Sequence, residues 1–363
     1  MKEFKILAIL AVLVGITYYG IEPYAHHVMH PPVPPADFSY SGKSEVALYT
    51  KTMDEKLAAA KENVALQTAE LAKATDAKAK EAINKKLAKA QNEVAMLPET
   101  AKAEAQRRTD FWKTANDTAA LTGNADNGKV LVDANCIACH GIDAAGMPMA
   151  ISNADAAASY GVVPPDLSNS GSIYDAKYLA AFIASPVDAM HIQEKFSPES
   201  GKTFPMPAYN WMQPQEIADV VAYLKSLPTK KLEGKEAHKA TFEAACGRCH
   251  SMQYSKFEST TPADALKTYM GATPPDLSQY IKSRGEHYLH DFINDPQTLL
   301  AGTSMPRVGL TEEAQHEVIA YMEEIGDPKK DERISLGIYT LAFTLVFAIL
   351  GYLWKRKIWS EVH

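Results

Sequence analysis

Outside two five-residue stretches this 363-residue chain has no cysteine. Its four cysteines are Cys136, Cys139, Cys246 and Cys249, within Cys136-Ile-Ala-Cys139-His140 and Cys246-Gly-Arg-Cys249-His250. A structural zinc site would have to draw four ligands from these groups, and each motif is enclosed in its own stretch of matched sequence. A thioredoxin-type dithiol does not need the following His and belongs to a βαβ setting, which is absent here. A basic excess is also missing: the net charge is −7, which argues against nucleic-acid binding and leaves room for a basic protein partner. Glycine is absent from 44 to 120, and charge is absent from Ile334 to Leu353.

These last two absences shape the chain. Residues 44–120 are rich in Ala, Lys and Glu with Pro98 as the sole breaker, a helical composition. Leu57, Ala60, Val64 and Leu71 follow one heptad phase, and Ile83, Leu87, Ala90, Val94 and Leu97 another. That shift predicts an antiparallel hairpin turning near Thr75-Asp76, with a single bent helix as the alternative. Such a segment serves either as a packing surface for a partner subunit or as a solvated insertion.

The twenty uncharged residues Ile334–Leu353, followed by Trp354 and Lys355-Arg356-Lys357, have the length of a membrane span with a basic cytoplasmic flank. At the other end Ile6–Ile21 is apolar behind Lys2 and Lys5, the pattern of an export signal. No small-x-small cleavage site follows it, so it reads as an uncleaved anchor (residues 1–22), with a cleaved signal peptide as the alternative. Two spans then place both termini in the cytoplasm and the chain between them in the periplasm. Pro31, Pro32, Pro34 and Pro35 make 23–43 a stiff linker. His26, His27 and His30 precede them and read as boundary surface rather than a metal site.

From Gly123 onward the chain repeats itself. Lys129–Cys136 matches Lys239–Cys246, and Pro164-Pro165-Asp166-Leu167-Ser168 matches Pro274-Pro275-Asp276-Leu277-Ser278. Tyr178 with Pro186 matches Tyr288 with Pro296, and each pair is 110 residues apart. Met206-Pro207 matches Met305-Pro306 at an offset of only 99, so the first copy carries eleven extra residues. Each Met-Pro precedes a predicted helix, at Pro214–Leu227 and Thr311–Ile325. The organisation expected is 44–120 helical hairpin, 121–230 first repeat, 231–330 second repeat and 334–354 C-terminal span.

Two thiols three positions apart can add across two vinyl groups of one haem, and the next residue, His140 or His250, then sits under the ring as an iron ligand. Two such motifs point to two covalently bound haem c groups. The sixth ligand is expected from Met305 in the second repeat, because Met252 is too close to His250. By the repeat it is Met206 in the first, with Met190, His191 and Met212 as competitors. The stiff proline loops at Pro165 and Pro275 can present a carbonyl to the other ring nitrogen of each His. Acidic residues outnumber basic ones eleven to five over Asp126–Lys225 and fourteen to ten over Lys235–Lys330, which would attract a basic carrier.

Each repeat resembles a class I cytochrome c domain: CxxCH, a proline loop, then Met-Pro ahead of a C-terminal helix. That resemblance covers roughly 123–330 and implies an all-α fold of tandem domains, joined here to the helical insertion and two transmembrane helices. The terminal span and the stretch "EPYAHHVMHPPVPPADFSY" are similar to the two-haem cytochrome c1 subunit of bacterial cytochrome bc1 complexes. The resemblance implies electron transfer from the Rieske iron–sulfur protein to a periplasmic cytochrome c or a terminal oxidase. It also implies a cytochrome b partner and a dimeric multi-subunit complex in the bacterial inner membrane, with no substrate chemistry of the chain's own. The dihaem subunit of a cbb3-type oxidase is the alternative, although that family is not expected to end in a span. A stand-alone dihaem enzyme would need an iron with an open site, and each repeat offers a Met.

Overall fold

A computed structural model describes residues 2–21, 24–25, 28, 35–198, 200–228 and 232–362. His26, His27 and His30, with the prolines at 31, 32 and 34, lie outside the described residues. Among those described the fold is all-α, with isolated β-bridges and no strand.

The N-terminal helix α1 (Lys2–Ile16) continues into a π-helical turn at Thr17–Ile21. Next come α2 (Lys43–Lys73) and α3 (Ala77–Ala119), joined by a three-residue turn. Asp76 starts α3 by accepting a hydrogen bond from the Ala79 N–H at 2.8 Å, an N-cap placed where the heptad phase changes. The two helices run antiparallel: buried Ala60 and Ala90 occupy the middle of the seam, and Glu45 near the start of α2 meets Arg108 near the end of α3. Pro98 lies inside α3 without ending it. It is exposed, so the carbonyl left without an N–H partner can face water.

The first repeat is built from α4 (Ala125–Asn135), α5 (Asn153–Tyr160), α6 (Ala176–Ala184) and α7 (Pro214–Ser226). The second is built from α8 (Lys235–Ala245), α9 (Ala263–Met270), α10 (Glu286–Asn294) and α11 (Glu312–Gly326). In each, the first and last helices cross. At the α4–α7 crossing the backbones come so close that a Cβ on Gly128 would lie 1.9 Å from the Asp219 carbonyl oxygen. Buried Asp219 ties the crossing by accepting from the Asn124 N–H at 2.7 Å and the Asn127 side chain at 3.0 Å. At α8–α11 the seam is Phe242 against Tyr321, ring centroids 4.9 Å apart.

The two repeats and the base of the hairpin share one interior. Tyr174 bridges to Leu310, the Tyr178 hydroxyl donates to the Arg307 carbonyl at 2.8 Å, and the Tyr40 hydroxyl donates to the Leu310 carbonyl at 2.9 Å. Tyr40 stacks on Trp112 of α3 at 5.9 Å, and both are buried with Tyr178. The extra segment of the first repeat fills the same seam: Met190, Ile192 and Phe196 pack against Tyr269 and Met270 of the second.

The last helix, α12 (Lys330–Val362), is tied to the second repeat at its start by Arg333 on Asp327 at 2.6 Å, and its apolar stretch is unburied among the described residues. Its stretch Lys330–Ser360 contains an uncharged run, Ile334–Leu353, and is long and apolar enough to cross a membrane. Two such helices are expected from the sequence and one is found among the described residues; the N-terminal stretch Ala8–Ile21 is apolar but shorter.

Candidate haem sites

Each Cys-x-x-Cys-His stretch begins where the first helix of its repeat ends. Cys136 closes α4 and accepts from the N–H groups of Cys139 at 3.1 Å and His140 at 3.0 Å. Cys246 closes α8 and accepts from Cys249 and His250 at the same two distances. This tight turn gathers two thiols and an imidazole.

The imidazoles are then fixed from the other side. His140 Nδ1 lies 2.8 Å from the Pro165 carbonyl oxygen, and His250 Nδ1 lies 2.8 Å from the Pro275 carbonyl oxygen. A carbonyl only accepts, so each Nδ1 carries the proton and each Nε2 presents its lone pair. Burial lowers the pKa of both rings, against the raising effect of the proline carbonyls. The ligand-competent neutral form is thereby favoured.

The proline loops are held by the aspartates that follow. Asp166 accepts from the N–H groups of Asp143 at 2.9 Å and Ser168 at 2.8 Å. Asp276 accepts from those of Gln253 at 2.8 Å and Ser278 at 3.0 Å. The Leu167 and Leu277 N–H groups donate to the Gly141 and Ser251 carbonyls. These bonds hold the proline carbonyl where the ring needs it.

The thiols do not have the character of a redox dithiol or a preformed thiolate site. Burial pushes Cys136 up to about 11 and Cys246 up to about 12, each helped by its partner cysteine, and burial also raises Cys249. Reactive dithiols show the opposite shift. Two thiols, one lone pair on an oriented imidazole and an apolar surround fit a covalently attached haem c. The buried Arg248 Nε and Tyr269 hydroxyl have no hydrogen-bond partner among the described residues, which leaves polar capacity beside the second motif for a carboxylate-bearing group.

The methionines divide differently in the two repeats. Met305 is half-buried and packs against the core that also receives Cys246, Phe257 and Leu277. Met206 is half-buried as well, but lines an open cleft of about 470 Å³ with Phe196, Phe204 and Pro186. The core against which Cys136 packs contains Met147 and Met212 instead. Met190 lies in the seam between repeats, and His191 contacts Asp295 at 3.3 Å, so both competitors serve the interface between repeats. Met147 was legible only through the repeat. Its counterpart is Phe257, and the bridges Ile142–Met147 and Met252–Phe257 are equivalent, which marks Met147 as pocket wall.

The comparisons with known proteins agree with this geometry. The cytochrome c family matches residues 125–228 and again 236–326, together more than half of the chain. A cytochrome c-553-like protein of Synechocystis sp. is 30% identical over 118 residues, covering 32% of this chain and 83% of that protein. No solved structure gives a significant match. The duplicated turn, the oriented histidines and the two family matches together establish that this chain belongs to the cytochrome c family, as an all-α c-type cytochrome electron carrier to which covalently bound haem c is proper.

Proposed function

We propose that the chain is a membrane-anchored dihaem cytochrome that relays electrons from the Rieske iron–sulfur protein of a bc1 complex to a periplasmic cytochrome c or terminal oxidase. The observation that carries the dihaem reading is the duplicated geometry: the same turn and the same 2.8 Å His-to-proline-carbonyl contact in both repeats. In this reading Cys136 and Cys139 form the thioethers of one haem and Cys246 and Cys249 those of the other. His140 and His250 ligate iron, and Met206 and Met305 supply the sulfur ligands. The bound group supplies one-electron redox chemistry. The protein orients each imidazole, excludes water with the apolar core, and favours the ferrous state through thioether ligation.

Support for the bc1 assignment comes from α12, whose apolar surface is unburied among the described residues. With Lys355, Arg356 and Lys357 on its far side, the haem-bearing repeats fall in the periplasm and the C-terminus in the cytoplasm. α1 would be the second, short anchor, with the N-terminus also cytoplasmic. Cytochrome b and the Rieske protein are the partners, in a dimeric complex. The cbb3 dihaem subunit is the second reading, and α12 weighs against it.

Purification of the native complex tests this. Co-purification of cytochrome b, with a c-type band in the reduced spectrum, supports the bc1 reading. Co-purification of oxidase subunits without cytochrome b overturns it in favour of the alternative.

A further inference from the structure

Away from both haem sites, the outer helices of the second repeat carry a matched pair of motifs. α10 has Glu286 and His290, and α11 has Glu312 and His316. A four-residue spacing puts each Glu and His on one helix face, and the two imidazoles meet. The rings of His290 and His316 have centroids 4.4 Å apart at 65°. One ligand atom each from Glu286, His290 and His316 lies within 4.8 Å of the others, with His290 Nε2 3.9 Å from a Glu286 carboxylate oxygen. His290 Nε2 is buried and has no hydrogen-bond partner among the described residues. A cleft of about 330 Å³ opens beside it, bordered by Glu312, Asp291 and His287 and by Pro35 and Phe38.

We propose that Glu286, His290 and His316 form a binding site for a divalent transition cation of the zinc type, bridging α10 and α11. Two imidazoles and a carboxylate are a three-ligand set that zinc accepts with water in the fourth position. Tetrahedral zinc with bonds of about 2.0–2.1 Å requires ligand atoms roughly 3.4 Å apart, so rotation of the exposed Glu286 and His316 side chains closes the set.

Gln315, buried under the ring, holds His290 from behind. Its amide nitrogen is 2.9 Å from Nδ1 and 2.6 Å from the His290 carbonyl oxygen. That contact leaves the ring proton on Nε2 in the metal-free protein. Cation binding at Nε2 would therefore require this proton to move to Nδ1. It would also require the Gln315 side chain to give up its bond to the His290 carbonyl and turn its oxygen toward Nδ1, the outer support that ligating histidines usually have. Zinc has no redox chemistry, so the site would brace the two helices against the segment at Pro35–Phe38 rather than carry electrons.

The test titrates zinc into the full-length, haem-loaded protein, in which the cysteines are already consumed, with bound metal counted after equilibrium dialysis. His316→Ala and Glu286→Gln change exposed side chains, and unchanged haem spectra and melting curves verify folding. A variant with His26, His27 and His30 all replaced by Ala removes the other histidine cluster. The expected result is one zinc per chain, with affinity reduced at least tenfold by His316→Ala, weakened by Glu286→Gln and unchanged in the triple variant. Equal affinity in wild type and the His316→Ala/Glu286→Gln double variant would overturn the proposal, as would zinc binding that disappears only in the triple variant.

Discussion

Glu45 and Arg307, 262 residues apart in sequence, meet in the interior with a carboxylate oxygen 3.3 Å from Nη1. Glu45 also accepts from Arg108 at 2.5 Å and from the Trp112 indole N–H at 3.0 Å. Arg307 reaches on to Asp295 at 2.6 Å, and its guanidinium lies over the Trp112 ring at 5.2 Å. One buried carboxylate thus links the hairpin to the residue two places after Met305.

Removing that carboxylate leaves Arg108 and Arg307 buried with too little opposite charge. Glu45→Ala should destabilise the haem-loaded protein by about 3–5 kcal/mol, the usual cost of breaking a buried pair on one side. Denaturant unfolding reads the loss. The exposed pair Lys113–Asp117 on the same hairpin serves as control, and Lys113→Ala should leave the midpoint unchanged.

Asp295 gives the network a pH dependence. Burial alone would raise its pKa, but the Arg307 guanidinium, and then His191, outweigh burial and hold it well below the usual carboxylate range. A depressed folded-state pKa contributes stability that is present above the unfolded value of about 3.9 and is lost as pH falls through the folded value. The contribution is on the order of 2–3 kcal/mol. Asp295→Asn should be less stable at pH 7 and should lose less on acidification from pH 5 to pH 3 than wild type. Parallel stability curves for the two proteins over that range would count against this linkage.

The α4–α7 crossing depends on having no side chain at 128. Gly128→Ala places a methyl against the Asp219 carbonyl and the Tyr223 Cβ, so the helices must separate. Overpacking of this kind costs about 1–3 kcal/mol, seen as a lower denaturation midpoint. In the second repeat the matching position is His238, whose Nδ1 lies 3.0 Å from Glu324. That crossing is built with more space, and Gly128 has no equivalent there.

The haem chemistry was legible because it is local. CxxCH, the proline loop and the 110-residue offset all lie within short stretches, and the structure repeats their hydrogen bonds position for position. The hairpin turn was legible because heptad phase and an Asp N-cap coincide at Asp76. The charge network was not, since Glu45 and Arg108 look like the solvated charges of any Ala/Lys/Glu helix, and only tertiary packing buries them. The eleven-residue insertion raised Met190 and His191 as iron ligands. Its apolar residues instead fill a gap against Tyr269 and Met270, a contact that no local pattern announces. At the N-terminus apolar character was clear, but the stretch Ala8–Ile21 is shorter than the C-terminal span.

The methionine assignments separate by potential. Met305→Ala and Met206→Ala should each lower the midpoint potential of one haem and leave the other within experimental scatter, because loss of thioether ligation removes stabilisation of the ferrous state. Redox titration followed in the visible spectrum checks both. Met206 lines an open cleft whereas Met212 and Met147 pack with Cys136, so Met212→Ala is the necessary comparison. A potential that moves with Met212 and not Met206 would reassign the first ligand.

The haem count per chain tests the central claim most directly. Measured as pyridine haemochrome on purified protein, the wild type should carry two haems c. The Cys136→Ser/Cys139→Ser and Cys246→Ser/Cys249→Ser variants should carry one each, with different spectra. A single haem in the wild type, or two remaining after either pair of substitutions, would contradict the account.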